Sequence, residues 1–295
     1  MKKYTAITII YNPNSTGSSE KLARDMLQKL RTVLPKQKIE LASTEYAGHA
    51  VTLAYQLAKA SKHPLIISAS GDGGYHEVVN GLMRAQHEGA HPVAGLLPAG
   101  NANDHFHNLH TDDFVQEVVA GNEQCIDLLK IIATYNGQSL ERYAHSYIGI
   151  GLSPKVGHDL NESKSKRFTD VMILLKDVWS FRPVRLKVDN RTRTYDNLIF
   201  SNISKMSKVL TLSHEARVDD GKFEVTAVYR RSKFKLLGVL LKASTAGLAG
   251  AHQADKFSFR TLQQTLIQLD GEVTTIDADT EATVSLEPKM LRCIV

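Results

Sequence analysis

The sequence predicts an α/β domain followed by an all-β domain, and three observations carry that expectation. From Ile7 to Leu97, short β-branched or apolar runs alternate with longer stretches of helical spacing, as in βα units around a mostly parallel sheet. Past Gln124 the texture turns to short alternating runs of the kind that make antiparallel strands. At 295 residues and 42% hydrophobic content the chain can bury a substantial core, and its length allows one large domain or two smaller ones, two being the working expectation. The expected division is 1–125 for a three-layer α/β domain, 126–287 for a β-sandwich, and 288–295 for a return to the first domain.

Strands are expected near 5–10, 38–42, 64–69 and 93–97, the first on the β-branched run Ile7-Thr8-Ile9-Ile10. Between them Gly17–Leu34, His49–Ala60 and Gly74–Glu88 have helical spacing, with Leu22, Met26, Leu27 and Leu30 on one face of the first. In the second part, Leu186–Val188, Asn197–Phe200, Val225–Val228 and Thr265–Leu269 read as strands. Phe168–Trp179 and Phe234–Leu248 read as helices.

The 36 Lys and Arg against 31 Asp and Glu, net +5, favour anionic partners without choosing among them. No stripe of interleaved aromatic and basic residues is present, which argues against a nucleic-acid partner. Cys125 and Cys293 have neither metal-ligand spacing nor a disulfide framework, as expected of a chain from a reducing, cytoplasmic compartment. No segment reaches the roughly 18 uncharged apolar residues of a spanning helix. Basic residues gather at Lys164, Lys166 and Arg167, at Arg182, Arg185 and Lys187, and at Arg230, Arg231, Lys233 and Lys235. The last group precedes the apolar run Leu236–Leu241, which reads either as an interfacial helix for peripheral contact with a membrane surface or as a core helix with a solvated basic end.

The strongest local signal is Ser70-Gly71-Asp72-Gly73-Gly74, followed by Tyr75-His76-Glu77-Val78-Val79-Asn80-Gly81, where the strand Leu65–Ala69 gives way to a helix. Free backbone N–H groups and the helix dipole attract phosphate at such a turn, and glycine lets the backbone come close. Asp72 adds a carboxylate able to reach a nucleotide-bound magnesium. A glycine cluster by itself is equally a tight turn. A second one, Pro98-Ala99-Gly100-Asn101-Ala102-Asn103-Asp104, follows the next strand. Two such turns after neighbouring parallel strands fall on one edge of the sheet, which favours a nucleotide cleft over two unrelated turns.

These motifs resemble the diacylglycerol kinase and sphingosine kinase superfamily of lipid kinases, which shares an NAD kinase-like nucleotide-binding domain. Diacylglycerol kinases carry Gly-Gly-Asp-Gly-Thr, then Asn-Glu-Val-Val-Asn-Gly and Pro-x-Gly-Thr-x-Asn-Asp. Sphingosine kinases carry Ser-Gly-Asp-Gly with His-Glu-Val-Val-Asn-Gly-Leu-Met, closer to Ser70–Met83, whereas Asn103-Asp104 looks like the diacylglycerol kinase form. Asn12-Pro13 with Gly17, Thr44 with Gly48-His49-Ala50, Ser146–Gly151, Ser201-Asn202, Ala216–Phe223 and Asp270-Gly271-Glu272 extend the resemblance in order along the chain.

The resemblance implies ATP and Mg2+, a lipid substrate and transfer of the γ-phosphoryl group to its hydroxyl. It implies that Asn12, Thr44, Gly71, Asp72, Gly73, Gly74, Glu77, Gly100, Asn103 and Asp104 bind the nucleotide. Glu272 becomes the general base, Asp220 the carboxylate that organises that base or a magnesium network, and Asp72 and Asp220 the metal-facing groups. Read unaided, Asp270-Gly271-Glu272 is a hairpin turn. ATP is expected on the first domain and the lipid hydroxyl on the second. Three departures stand out: Gly74 and Asn101 replace threonines, and His76 replaces the asparagine of the diacylglycerol kinase form.

Alternatives stay open. A sphingoid base is a second acceptor, the related NAD kinase activity is disfavoured by Asn103-Asp104 and Asp219-Asp220-Gly221, and a non-catalytic lipid- or nucleotide-binding regulator is motivated by Gly74 and Asn101. His105, His107 and His110 fall short of a zinc signature.

Overall fold

The structure, a computed structural model, describes residues 3–15, 18–110, 113–155, 176–206, 210–213, 216–246 and 251–295. The chain divides into two compact units, Met1–Asp127 with Pro288–Val295, and Leu128–Glu287.

The first unit runs β1 (Ile7–Tyr11), α1 (Ser19–Val33), β2 (Ile39–Ser43), α2 (His49–Lys59), β3 (Leu65–Ser70), α3 (Asp72–His87), β4 (Val93–Pro98), α4 (Asp104–Leu109) and α5 (Phe114–Ala120). Its strands pair in parallel, in the order β2-β1-β3-β4. β3 and β4 are buried along almost their whole length, which is why they read as unbroken apolar runs rather than alternating ones. Ile7, Ile9, Leu65, Ile67 and Val93 make one core face with Ala23, Met26 and Leu30 of α1, while Leu22 and Leu27 pack at its margin. α2 and α3 lie very close together. A Cβ on Gly81 would stand 2.3 Å from the Val51 carbonyl oxygen and 2.8 Å from Ala54 Cβ, so this glycine is required for packing.

β1 to β4 and α1 to α3 fall within a few residues of their expected ranges, with one instructive difference, while α4 and α5 had no expected counterpart. α3 begins at Asp72, because Gly71 takes an extended N-cap conformation, so the helix starts two residues before the expected Gly74 and takes in Asp72 and Gly73. Gly17, expected to open α1, lies outside the described residues.

The second unit holds the rest of β5 (Glu123–Tyr135), followed by β6 (Gln138–Ala144), β7 (Tyr147–Gly151), β8 (Val184–Val188), β9 (Arg191–Ser201), β10 (Lys205–Met206), β11 (Leu210–Thr211) and β12 (Phe223–Tyr229). Then come α6 (Lys233–Ala246), β13 (His252–Ala254), β14 (Lys256–Thr261), β15 (Thr265–Leu269), β16 (Glu272–Ile276) and β17 (Glu281–Ile294). Within this unit the strands run β16-β15-β7-β9-β8-β14-β17, each neighbour antiparallel, and β12 also pairs with β9. Phe200, Phe223, Val225, Phe259, Ile267 and Val284 belong to its apolar core. The last residues of β17 pair with β4 of the first unit, Cys293 opposite Ala94, and Lys289 N donates to the buried Asp127 carboxylate at 2.7 Å.

The helix expected at Phe168–Trp179 falls mostly outside the described residues, as do Lys164, Lys166 and Arg167. For Leu236–Leu241 the core reading prevails where side chains are described: Leu236 is buried and Val239 packs against the core, so the interfacial-helix expectation is corrected at these positions. Among the described residues, no helix is long and apolar enough to cross a membrane.

Candidate active site

Strand register places the loops of the first unit. Tyr11 lies opposite both Ser43 and Ala69, and Ser70 lies opposite Pro98. The carboxyl ends of β1 to β4 are therefore level, and Asn12, Thr44, Gly71 and Gly100 follow them on one edge of the sheet, where open α/β sheets bind ligands.

The two glycine turns touch backbone to backbone. A Cβ on Gly71 would stand 3.0 Å from Gly100 Cα, and one on Gly100 would stand 2.5 Å from Gly71 Cα and 2.9 Å from Asn103 Oδ1. No side chain can enter between them. Ala99 N donates to Ser70 O at 3.0 Å, extending the β3–β4 ladder to the contact.

Side chains then lock the turns. Asp72 accepts from Asp104 N at 3.0 Å and His105 N at 3.1 Å, one amide on each carboxylate oxygen. A carboxylate here lies at the first turns of α3 and α4, where the helix dipole favours negative charge. Asn103 adopts the left-handed conformation, φ 51°, which its short amide tolerates. Its side chain brackets Gly100, accepting from Gly100 N at 2.9 Å and donating to Gly100 O at 2.8 Å. Asn103 and Asp104 are both buried. Glu77 reaches sideways to accept from Gly48 N at 3.2 Å, fixing the left-handed N-cap of α2. Thr44 N donates to Tyr11 O at 2.9 Å. Asn12 closes a short turn by accepting from Asn14 N at 2.9 Å.

Ser70 explains one departure from the lipid kinase pattern. A Cβ on Gly74 would stand 2.6 Å from Ser70 Cβ and 2.8 Å from Ser70 Oγ. The Ser70 hydroxyl lies 2.7 Å from Ser68 Oγ and donates to Gly71 O at 3.0 Å. A hydroxyl thus stands at 70 on the strand side of the turn, over a helix position that has no side chain.

At the end of α4, His110 Nδ1 lies 2.7 Å from Glu117 Oε2. Burial holds the imidazole below its ordinary pKa, and Glu117 draws it partly back up.

In the second unit, Asp270 and Gly271 both have positive φ, 49° and 104°, and connect β15 to β16 in the two-residue hairpin that the sequence suggests. It is an unusual hairpin, because Asp270 is wholly buried. Its carboxylate accepts from three consecutive amides, His145 N and Ser146 N at 2.8 Å and Tyr147 N at 3.0 Å. Its own N–H donates to Tyr147 O at 3.1 Å, and His145 Nε2 lies 3.5 Å from Oδ2. Three charge-assisted donors are what a buried carboxylate needs to remain in place. The next side chain but one, Glu272, is exposed at the start of β16. Asp220 is exposed in a turn and accepts from Lys222 N at 3.1 Å. Among the described residues no hydrogen bond joins Asp220 to Glu272.

The first unit therefore brings Asn12, Thr44, Gly71, Asp72, Gly73, Gly74, Gly100, Asn103 and Asp104 to one edge, with Glu77 behind them. Glu272 and Asp220 belong to the second unit. The part played by Asp270 and the 145–147 amides was not legible beforehand; the signal available was the Asp-Gly pair itself. Among the described residues no group of three or more His, Cys, Asp and Glu is arranged to hold a metal. A magnesium ion that arrives with a nucleotide needs only one or two carboxylates beside the phosphates, so the residues present fit such an ion without a protein-built cage. The α3 N-terminus, whose N-cap is a glycine and which has no side-chain cap, fits a phosphate chain.

Residues 6–131 match a family model described as the diacylglycerol kinase catalytic domain. The chain is 27% identical over 285 residues to a diacylglycerol kinase of Staphylococcus carnosus, covering 90% of this chain and 87% of that one. It is 25% identical over 292 residues to a diacylglycerol kinase of Bacillus subtilis, covering 90% and 88%. In fold it is similar to the crystal structure of a diacylglycerol kinase from Bacillus anthracis strain Sterne, with TM-score 0.71, 16% identity and coverage of 100% and 98%. It is also similar to a yeast NADH kinase solved with NADH, with TM-score 0.53, 11% identity and coverage of 100% and 84%.

Proposed function

We propose, from the membership of this chain in the diacylglycerol kinase-like family of lipid kinases, that it moves the γ-phosphoryl group of ATP onto a lipid hydroxyl, that of diacylglycerol or a related lipid. The observation that carries the reading furthest is the Gly71–Gly100 contact within the segment matched by the family model: it sets the second glycine turn against the α3 N-terminus.

In this reading the first unit binds and the second supplies the proton acceptor. The amides of Gly71, Gly73 and Gly74 face the phosphates, Gly100 lets the second turn come close, and Asp72 keeps that turn in register with the first. Asn12 and Thr44 border the nucleotide from the ends of β1 and β2, and Glu77 fixes the α2 N-terminus beside them. Asp104 and Asn103 form the buried base of the second turn. Mg2+ bound with ATP would neutralise charge on the phosphates, with Asp72 the nearest carboxylate of the first unit. Glu272 takes the proton of the acceptor hydroxyl, and Asp270 anchors the hairpin that presents it. The acceptor resides in a bilayer, so the chain works at a membrane surface by peripheral contact.

Glu272→Gln tests the assignment of the base. The variant should bind Mg-ATP as the parent does while turnover falls by about 10²-fold or more. Undiminished turnover would remove Glu272 from the role.

A further inference from the structure

The chain's single tryptophan, Trp179, is 55% exposed, and Phe234, at 76%, is exposed beside it. Their rings meet edge to face with centroids 5.3 Å apart. Two large apolar rings held against each other in solvent forgo burial that either could find in a core, and aromatic rings of this kind sit at the boundary between water and lipid.

In the two described segments that carry them, the exposed charges have one sign. In 176–182 and 229–235 the exposed charged residues are Lys176, Arg182, Arg230, Arg231 and Lys235. Asp177, the only carboxylate in either segment, is buried and paired with Lys155. Asp196, which lies beneath, is buried too and accepts from Arg231 N at 2.7 Å. The surface is also braced. Lys233 Nζ donates to the Phe181 carbonyl and so ties the two segments together, and Arg230 N donates to Thr194 O at 3.0 Å. Tyr229, Arg230, Arg231, Ser232 and Lys235 line one open depression.

We propose that the Trp179–Phe234 pair and the cations around it form the surface that seats this chain on an anionic lipid bilayer. The rings enter the headgroup region while the arginines and lysines meet lipid phosphates, two contributions that reinforce each other. The apolar side of α6 is turned to the core at Leu236 and Val239, so the contact is made by the residues at the start of the helix and by Trp179 beside them. The inference rests on the lipid kinase reading for the reason the chain meets a bilayer. The surface itself is read from exposure and charge.

The test uses Trp179 as its own reporter. Phosphatidylcholine vesicles containing phosphatidylglycerol should shift its emission to the blue and carry the protein upward in flotation, whereas phosphatidylcholine alone should do neither. Phe234→Ala should lower partition onto the anionic vesicles by about tenfold. Arg230→Glu with Arg231→Glu should lower it by at least about twentyfold, from roughly fivefold per cation removed. Phe234→Ala should melt with the parent, since its side chain is exposed, and the charge-reversed variant is compared at a temperature where circular dichroism shows it folded. Equal binding to both vesicle types, no emission shift, or parental partition of the charge-reversed variant would overturn the proposal. Turnover on a short-chain acylglycerol dispersed in water is measured separately, and there the variants should match the parent. Absence of turnover in the parent on every acceptor would count against the kinase reading and leave the vesicle result standing.

Discussion

Gly100→Ala places one methyl group at the point where the two turns meet. The new Cβ would lie 2.5 Å from Gly71 Cα, 3.2 Å from Gly71 N and 2.9 Å from Asn103 Oδ1. Two of these neighbours are backbone atoms that no rotamer change can move, so relief requires the turns to separate by about 1 Å. Separation lengthens the bonds from Asp104 N and His105 N to Asp72 and strains the Asn103 bracket. Overpacking of this kind costs about 1–3 kcal/mol of stability. A shift of about 1 Å at a phosphate-positioning site costs up to about 10²-fold in rate. Gly137→Ala is the matched control: φ is 73° there but nothing lies within 4 Å, so it should cost about 1 kcal/mol through backbone strain alone. Melting temperature and kcat/KM for ATP are the readouts. Gly100→Ala should lose both stability and kcat/KM, and Gly137→Ala stability alone. A Gly100→Ala enzyme with parental kcat/KM would refute the claim that close contact of the turns builds the phosphate site.

Gly74→Thr should be destabilised by about 1–3 kcal/mol through its clash with Ser70, and the double variant Ser70→Gly with Gly74→Thr should recover most of that loss, measured by denaturant titration as a double-mutant cycle. Asp72→Asn substitutes a donor for one of the oxygens that accept from Asp104 N and His105 N; it should raise KM for ATP and cost about 1.5–3 kcal/mol of stability by the same titration. Asp270→Asn leaves the 145–147 amides short of an acceptor and should cost about 3 kcal/mol with a fall in kcat larger than any change in ATP affinity, whereas an equal loss in both would argue against a role in presenting Glu272. Because burial depresses the His110 pKa in the folded chain, the unfolded chain binds the proton first as pH falls. The stability this residue contributes is present above the ordinary imidazole pKa and is lost as pH drops toward the folded value. His110→Gln should flatten the melting-temperature profile across that window.

The α/β half was legible in the sequence because β3 and β4 are buried on both faces and so appear as continuous apolar runs, bounded by glycine turns. What stayed hidden depended on contacts distant along the chain. Asp270 looks like any hairpin aspartate until it meets amides 123 to 125 positions away. Asp72 reads from its motif as a phosphate- or metal-facing group, yet the contacts it makes in the fold are with the second turn. The helix was expected only from Gly74 because glycine is a poor helix former, but Asp72 and Gly73 already belong to a first turn whose N-cap is Gly71. The Leu236–Leu241 run fits core and membrane equally well by composition, and only the burial of Leu236 and the packing of Val239 distinguish the two.

The central claim is tested most directly by supplying the parent protein with Mg2+ and γ-labelled ATP over a panel of lipids in mixed micelles, including diacylglycerol and a sphingoid base. A lipid-soluble labelled product from one acceptor is the predicted result. ATP bound at the glycine turns with no label in any lipid would contradict it.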